Sequence, residues 1–128
     1  GAVCRIASAA GERTVPVESF CTAPGRNVLE PGELLVSLQI PAKSKSTGSH
    51  YLRFIPRNEM DIAVAGAGVE VTLDNGTISA ARVALAAVAP VPLFVAEAGA
   101  TLVGKAPGPE AFEAAAQAAR NAASPIQD

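Results

Sequence analysis

Apolar and polar residues alternate over residues 2–8, "AVCRIAS", which predicts a half-buried strand. "AAGE" then reads as a turn and "RTVPV" as a second short strand, so the chain opens on a hairpin with Pro16 marking an edge. "ESFCTAPGRNVLEPGE" carries Pro24, Gly25, Pro31 and Gly32, and reads as a loop or a loop with one helical turn. Alternation resumes in "LLVSLQIP". Leu34, Val36, Leu38 and Ile40 fall on one predicted face and Leu35, Ser37 and Gln39 on the other, and Pro41 ends the strand. "AKSKSTGS" is a flexible, solvated connection. "SHYLRFIPR" restores strand character, Asn58-Glu59 marks a turn or bulge, and "DIAVAGAGVEVTLD" is the long central strand, whose first residues could instead wind as a short helical turn.

Asp74-Asn75-Gly76 is the clearest local signal. Asn-Gly accepts positive φ at both central positions of a two-residue hairpin loop, so a type I′ turn is expected there. "TISAARVALAAVA" is the return strand, closed by Pro90 and Pro92. Leu93 to Val103 has helical character with Gly104 as its C-cap, although Gly99 inside it costs about 1 kcal/mol relative to Ala. Pro109 suits the first turn of a second helix, "EAFEAAAQAARNAA". Phe112, Ala115, Ala116, Ala119, Ala122 and Ala123 form its expected narrow face. Strands followed by segregated helices predict an α+β fold: an antiparallel sheet of three to four strands packed on C-terminal helices, preceded by a short hairpin.

Composition narrows the partners more than the fold. At 128 residues the chain suits one domain, or one domain with a piece of another. It is 49% hydrophobic and 17% charged, which excludes disorder by composition, and its apolar residues are mainly small. A net charge of −2 supplies no basic field, so no nucleic-acid partner is expected. No apolar run reaches the length of a membrane span, and no signal-peptide pattern stands at the start, where "GAVCRIAS" reads as the beginning of a fragment.

The candidate chemistry is sparse. Gly66-Ala67-Gly68 invites a dinucleotide fingerprint, but position 71 is Val where a third glycine is needed, and no βαβ unit surrounds it. The glycines are expected to be strand glycines, admitting a bulge or a close neighbour. "PGRNVLEPGE" lacks the Gly-Lys-Ser/Thr of a phosphate loop. His50 has no nucleophile at a recognisable spacing. Glu59 and Asp61, close to Arg53 and Arg57, read as a charge-balanced cluster more than as an acid–base pair. Cys4 and Cys21 are expected to be buried or half-buried thiols, and with one His they make no metal site. No catalytic residue is assigned.

Five segments in order carry a resemblance: "LEPGELLVSLQIP" (29–41), "YLRFIPRNEMDIAVAGAGVEV" (51–71), "DNGTISAARVALAAVAPVP" (74–92), "AEAGATLVGK" (96–105) and the closing "SPIQD". Together they resemble the FAD-binding medium subunit of the xanthine dehydrogenase and aerobic carbon monoxide dehydrogenase family of molybdenum hydroxylases. The resemblance is to its C-terminal domain and the tail of its flavin domain. It implies that residues 1–32 are the flavin-domain tail and 33–128 the C-terminal α+β domain, cut short at its end. It implies part of an oxidoreductase flavoprotein subunit, inactive by itself, relaying electrons from iron–sulfur clusters to FAD and on to an external acceptor. The FAD would be held mainly by an upstream FAD-binding domain. The partners would be an iron–sulfur small subunit and a large subunit with the molybdenum cofactor, in the cytoplasm, with the periplasm left open. Two flavin contacts carry over: Leu35, matching an apolar residue near the isoalloxazine, and Arg53, matching a basic residue, usually Lys, that reaches toward the flavin. Arg57 and Asp61 match an "R-x-x-x-D-I-A" pattern, expected to be a structural ion pair. Phe94 departs from the Arg frequent in the family. The alternative is a stand-alone α+β interaction or scaffold domain without flavin.

Overall fold

The structure, a computed structural model, describes residues 1–126. The chain divides into two compact units, Gly1–Ala42 and Lys43–Asp128. Of the closing "SPIQD", Gln127 and Asp128 lie outside the described residues.

In the first unit, β1 (Val3–Ser8) and β2 (Gly11–Pro16) form the expected hairpin, and β5 (Leu34–Gln39) pairs antiparallel with the other side of β1. The sheet order is β2-β1-β5, so Pro16 does lie on an edge strand, where its missing N–H costs no ladder bond. A 3₁₀ turn at Val17–Ser19 follows. The segment expected to be a loop also holds a small hairpin of its own, β3 (Cys21–Ala23) with β4 (Arg26–Asn27). Gly25, at φ 68°, makes the reversal. Glu30 to Glu33 is a type II turn: Pro31 stands second, Gly32 has φ 86°, and the Glu33 N–H donates to the Glu30 carbonyl at 3.0 Å. It delivers the chain into β5.

The β1–β5 register slips between Arg5 and Ile6: Arg5 faces Ser37 while Ile6 faces Leu35. Val36 is the extra residue, a β-bulge. Strict alternation puts Leu35 and Leu38 on opposite faces. The bulge instead brings Leu35, opposite Ile6, onto the same face as Leu38, opposite Cys4. Cys4 and Ile6 are buried on that face. Cys21 is an exposed free thiol, unlike the half-buried one expected. Because β5 pairs with β1, the first unit runs on to Ala42.

The second unit is a four-stranded antiparallel sheet in the order β6-β7-β8-β9, followed by two helices. β6 is Thr47–Phe54, β7 Ala65–Asp74, β8 Thr77–Ala86 and β9 Leu93–Phe94. Asn75 (φ 50°) and Gly76 (φ 80°) close the β7–β8 hairpin, as a type I′ turn requires. β7 begins at Ala65, not at Asp61: residues 55–64 form a connection without regular structure, closed at its base by the Val64 N–H donating to the Phe54 carbonyl at 2.9 Å. Leu93-Phe94, expected to begin a helix, pairs with Ala84-Leu85 instead. The Val95 N–H then donates to the Val83 carbonyl at 2.8 Å, and these sheet bonds hold the segment extended behind Pro92.

The helices are α1 (Ala96–Leu102) and α2 (Pro109–Ala122), with Pro109 in the first turn as expected. They cover one face of β7 and β8. Ile78, Leu102, Ala111 and Ala115 form one buried cluster against Val71 and Ala81; Val83, Val95, Ala98 and Ala119 form another against Val69, Leu85 and Leu93. The buried stripe of α2 is Ala111, Ala115 and Ala119; Phe112, expected on that stripe, is 51% exposed. Alanines let the helices approach closely, and Gly99 closes the gap further: a Cβ there would stand 2.5 Å from the Ala81 carbonyl oxygen.

Candidate functional site

The cross-strand register sorts the second sheet into two faces. Val69, Val71, Ala81 and Val83 point to the helices. Their alternates point the other way: Tyr51 and Arg53 on β6, opposite Gly68 and Gly66 on β7, then Glu70 opposite Arg82, and Ala84 opposite Phe94. This face carries two arginines, a glutamate and two aromatic rings on a floor of small residues.

The glycines have a specific occupant. The Tyr51 ring runs diagonally from Gly68 toward Gly66, and a Cβ on Gly66 would collide with the Tyr51 hydroxyl and lie 3.1 Å from Cζ. A Cβ on Gly68 would lie 3.6 Å from Tyr51 Cδ2. Gly66-Ala67-Gly68 is therefore a seat for an aromatic ring within a strand, in line with the expectation of a close neighbour. Farther along the same face, the Arg82 guanidinium lies 4.4 Å from the Phe94 ring centroid, a cation–π contact. Phe94 thus packs under an arginine.

Arg53 stands two residues after Tyr51 on β6, directly opposite Gly66. Its guanidinium is ion-paired with Glu59 in the 55–64 connection. Glu59 has φ 57°, a left-handed turn conformation. In the same connection Arg57 Nε donates to both Asp61 carboxylate oxygens, at 2.9 and 3.0 Å, and Arg57 Nη2 adds a further bond. Hydrogen bonding from Arg57 lowers the Asp61 pKa from its ordinary value, against the opposing effect of burial. The acidic pair expected as a charge-balanced cluster divides into two ion pairs, Arg53–Glu59 and Arg57–Asp61, that brace the turn between β6 and β7.

Leu35, the other proposed contact, lies on β5 in the first unit and is 41% exposed. Close by in sequence, Arg13 Nε and Nη2 grip the two Glu33 oxygens at 2.7 Å each, and Nη2 also reaches the Val28 carbonyl at 2.8 Å. The Glu30 N–H donates to the same carboxylate at 2.8 Å. These bonds, Arg13 first, lower the Glu33 pKa to about 2. The fork fixes the entry to β5. Sequence reasoning missed Tyr51 as the occupant of the Gly66–Gly68 floor, because the pairing of β6 with β7 sets it. Among the described residues, no group of three or more His, Cys, Asp or Glu is placed to hold a metal ion.

Residues 50–128 match the family described as CO dehydrogenase flavoprotein C-terminal domain. The chain belongs to this family. It is 36% identical over 118 residues to the carbon monoxide dehydrogenase medium chain of Hydrogenophaga pseudoflava, covering 92% of this chain and 41% of that one. It is 38% identical over 89 residues to a putative xanthine dehydrogenase FAD-binding subunit of Escherichia coli (strain K12), covering 69% of this chain and 30% of that one. Among solved structures, carbon monoxide dehydrogenase from H. pseudoflava, in a form lacking the Mo-pyranopterin moiety of its cofactor, superposes with a TM-score of 0.92 at 37% identity. The match covers 99% of this chain and 44% of that one. Quinoline 2-oxidoreductase from Pseudomonas putida 86 gives a TM-score of 0.87 at 31% identity, covering 100% and 44%. The chain thus spans less than half the length of these relatives, and its α+β architecture is theirs. Among the described residues, no helix is long and apolar enough to cross a membrane.

Proposed function

We propose that this chain is part of a flavoprotein subunit that relays electrons from iron–sulfur clusters to FAD and on to an external acceptor, within a cytoplasmic molybdenum hydroxylase complex. The observation that carries the reading is Arg53, a cation on an open sheet face with a glycine and tyrosine floor, in a chain of this flavoprotein family. FAD, when bound, supplies one- and two-electron transfer. Arg53 suits its ring by offering a permanent planar charge; Leu35, taken by itself in the first unit, offers an exposed apolar side chain turned by the Val36 bulge. Arg53 holds positive charge beside the place where negative charge develops on reduction, which raises the tendency of the ring to accept electrons. Glu59 offsets part of that charge and fixes the direction of the guanidinium. Arg57 and Asp61 hold the turn that carries Glu59.

Most FAD contacts belong to an upstream FAD-binding domain, whose tail, expected over residues 1–32, lies within the first unit. An iron–sulfur small subunit donates electrons, and a large subunit holds the molybdenum cofactor and performs substrate oxidation. By itself the chain is inactive. A second reading, an interaction or scaffold domain without flavin, draws on the exposed apolar residues Leu52, Phe54, Met60 and Ile62. The visible spectrum of the full-length subunit after gentle purification separates the two. The flavin reading expects oxidised-flavin absorption at about 450 nm, and a colourless full-length subunit refutes it.

A further inference from the structure

We propose that Tyr51 is a positioning residue for Arg53: its ring, seated on the Gly66–Gly68 floor, holds the guanidinium in the direction from which it acts on a flavin. The inference rests on the reading of Arg53 given above and extends it to a residue and a device that reading does not include.

Tyr51 and Arg53 are two apart on β6, so both leave the same face of the sheet. In register Tyr51 stands opposite Gly68 and Arg53 opposite Gly66. The tyrosine ring does not stay over its own partner. It crosses diagonally, with Cδ2 near Gly68 and its Cζ, Cε2 and hydroxyl over Gly66. The surface directly across the strand from Arg53 is thereby filled by the end of the Tyr51 ring, and Gly66 beneath it is buried. An arginine on a strand would ordinarily lie across toward its facing residue, covering apolar surface with its methylene stem. Here that path is closed. Arg53 is turned off the sheet to Glu59, in the connection that follows β6.

Gly66 is needed for space and not for backbone conformation, since it lacks positive φ, whereas a Cβ on Gly68 would meet the ring at the ordinary contact distance of 3.6 Å. Glycine in a strand interior weakens the strand, a cost at Gly66 that the ring's seat offsets. Tyr51 is itself 54% exposed, so the ring covers Gly66 while keeping one surface open to solvent. A long, flexible side chain thus has the space across from it taken by a ring and its guanidinium held by a carboxylate. Confinement lowers the rotamer entropy that Arg53 loses on engaging a planar ligand.

The test uses the full-length flavoprotein subunit with its FAD, and reads the flavin midpoint potential. Arg53→Ala sets the scale by removing the charge. Tyr51→Ala and Gly66→Ala leave Arg53 in place but remove or displace the ring. The proposal expects each to give at least half of the Arg53→Ala shift, and to add little when combined with Arg53→Ala. Tyr51→Phe, which keeps the ring, should restore most of the wild-type potential. Wild-type potentials in both Tyr51→Ala and Gly66→Ala, alongside a shifted Arg53→Ala, overturn the positioning role and leave the Arg53 reading intact. An unshifted Arg53→Ala overturns both. The seat has a flavin-free check in this 128-residue chain, which holds one Tyr and no Trp. Acrylamide should quench Tyr51 fluorescence more strongly in Gly66→Ala than in wild type, and equal quenching contradicts the seat.

Discussion

Gly99→Ala should destabilise the second unit, although an isolated helix would gain from the change. In a helix interior Ala is better than Gly by about 1 kcal/mol. α1 does not lie free, however. The added Cβ would stand 2.5 Å from the Ala81 carbonyl oxygen and 3.2 Å from its carbon. Ala81 is in the middle of β8, bonded into the β7 ladder opposite Val71, so the backbone it meets cannot swing aside as a side chain would. Ordinary contact requires α1 to lift, and lifting separates Ala98 and Leu102, which are 0% and 3% exposed, from the sheet. Overpacking of this kind costs typically about 1–3 kcal/mol. Taking a cost near the upper end for a backbone neighbour, and subtracting the helix gain, the net loss is about 1–2 kcal/mol. For a unit of this size, that lowers the melting temperature by about 4–16 °C. Thermal and urea denaturation of wild type and Gly99→Ala, followed by circular dichroism, measure it. A variant more stable than wild type by about the helix-propensity difference would refute the close approach of α1 to β8.

Other outcomes follow from the ion pairs and turns. The Glu33 pKa falls to about 2 from 4.5, so its contribution to stability is fully present above 4.5 and is lost as pH falls through about 2. Glu33→Gln should therefore be less stable than wild type at neutral pH, and the difference in urea midpoint should close on acidification; a constant gap would contradict the Arg13 fork. Asn75 sits at φ 50° in the β7–β8 turn, so Asn75→Ala should cost about 1 kcal/mol in urea unfolding; no loss would argue against the type I′ turn. Glu59→Gln removes the negative partner of Arg53. In the full-length subunit it should raise the flavin potential, opposite in sign to Arg53→Ala, as spectroelectrochemical titration would show.

Local chemistry was legible where it acts locally. Asn75-Gly76 announces its turn, Pro109 its helix start, and the alternation in "GVEVTL" its strand, because each depends on neighbouring residues alone. The failures are non-local. The Val36 bulge reverses the face of Leu35, and a bulge is a property of pairing with β1. Leu93-Phe94 has helical periodicity, yet hydrogen bonds to β8 hold it extended. Phe112 fits the predicted helix face by spacing, but the sheet accepts the alanine stripe a residue earlier, where the helix can come closest. The same holds at the candidate site. Arg53 and the Arg57–Asp61 pair both came from resemblance. Tyr51 over Gly66 and Gly68 required the register of β6 against β7, which no run of sequence states.

The central claim is that Arg53 faces a flavin. If the guanidinium came within about 5 Å of the reduced ring, it would contribute roughly 2–3 kcal/mol at an effective dielectric of about 20–40. Solvent screening and the Glu59 countercharge reduce this to about 1.4 kcal/mol, or about 30 mV for a two-electron couple. The deciding measurement is the midpoint potential of FAD in the full-length subunit with Arg53 and with Arg53→Ala, in the same buffer. The account predicts a lower potential in the variant by about that amount. An unchanged or raised potential, with flavin still bound and the fold intact, would contradict it.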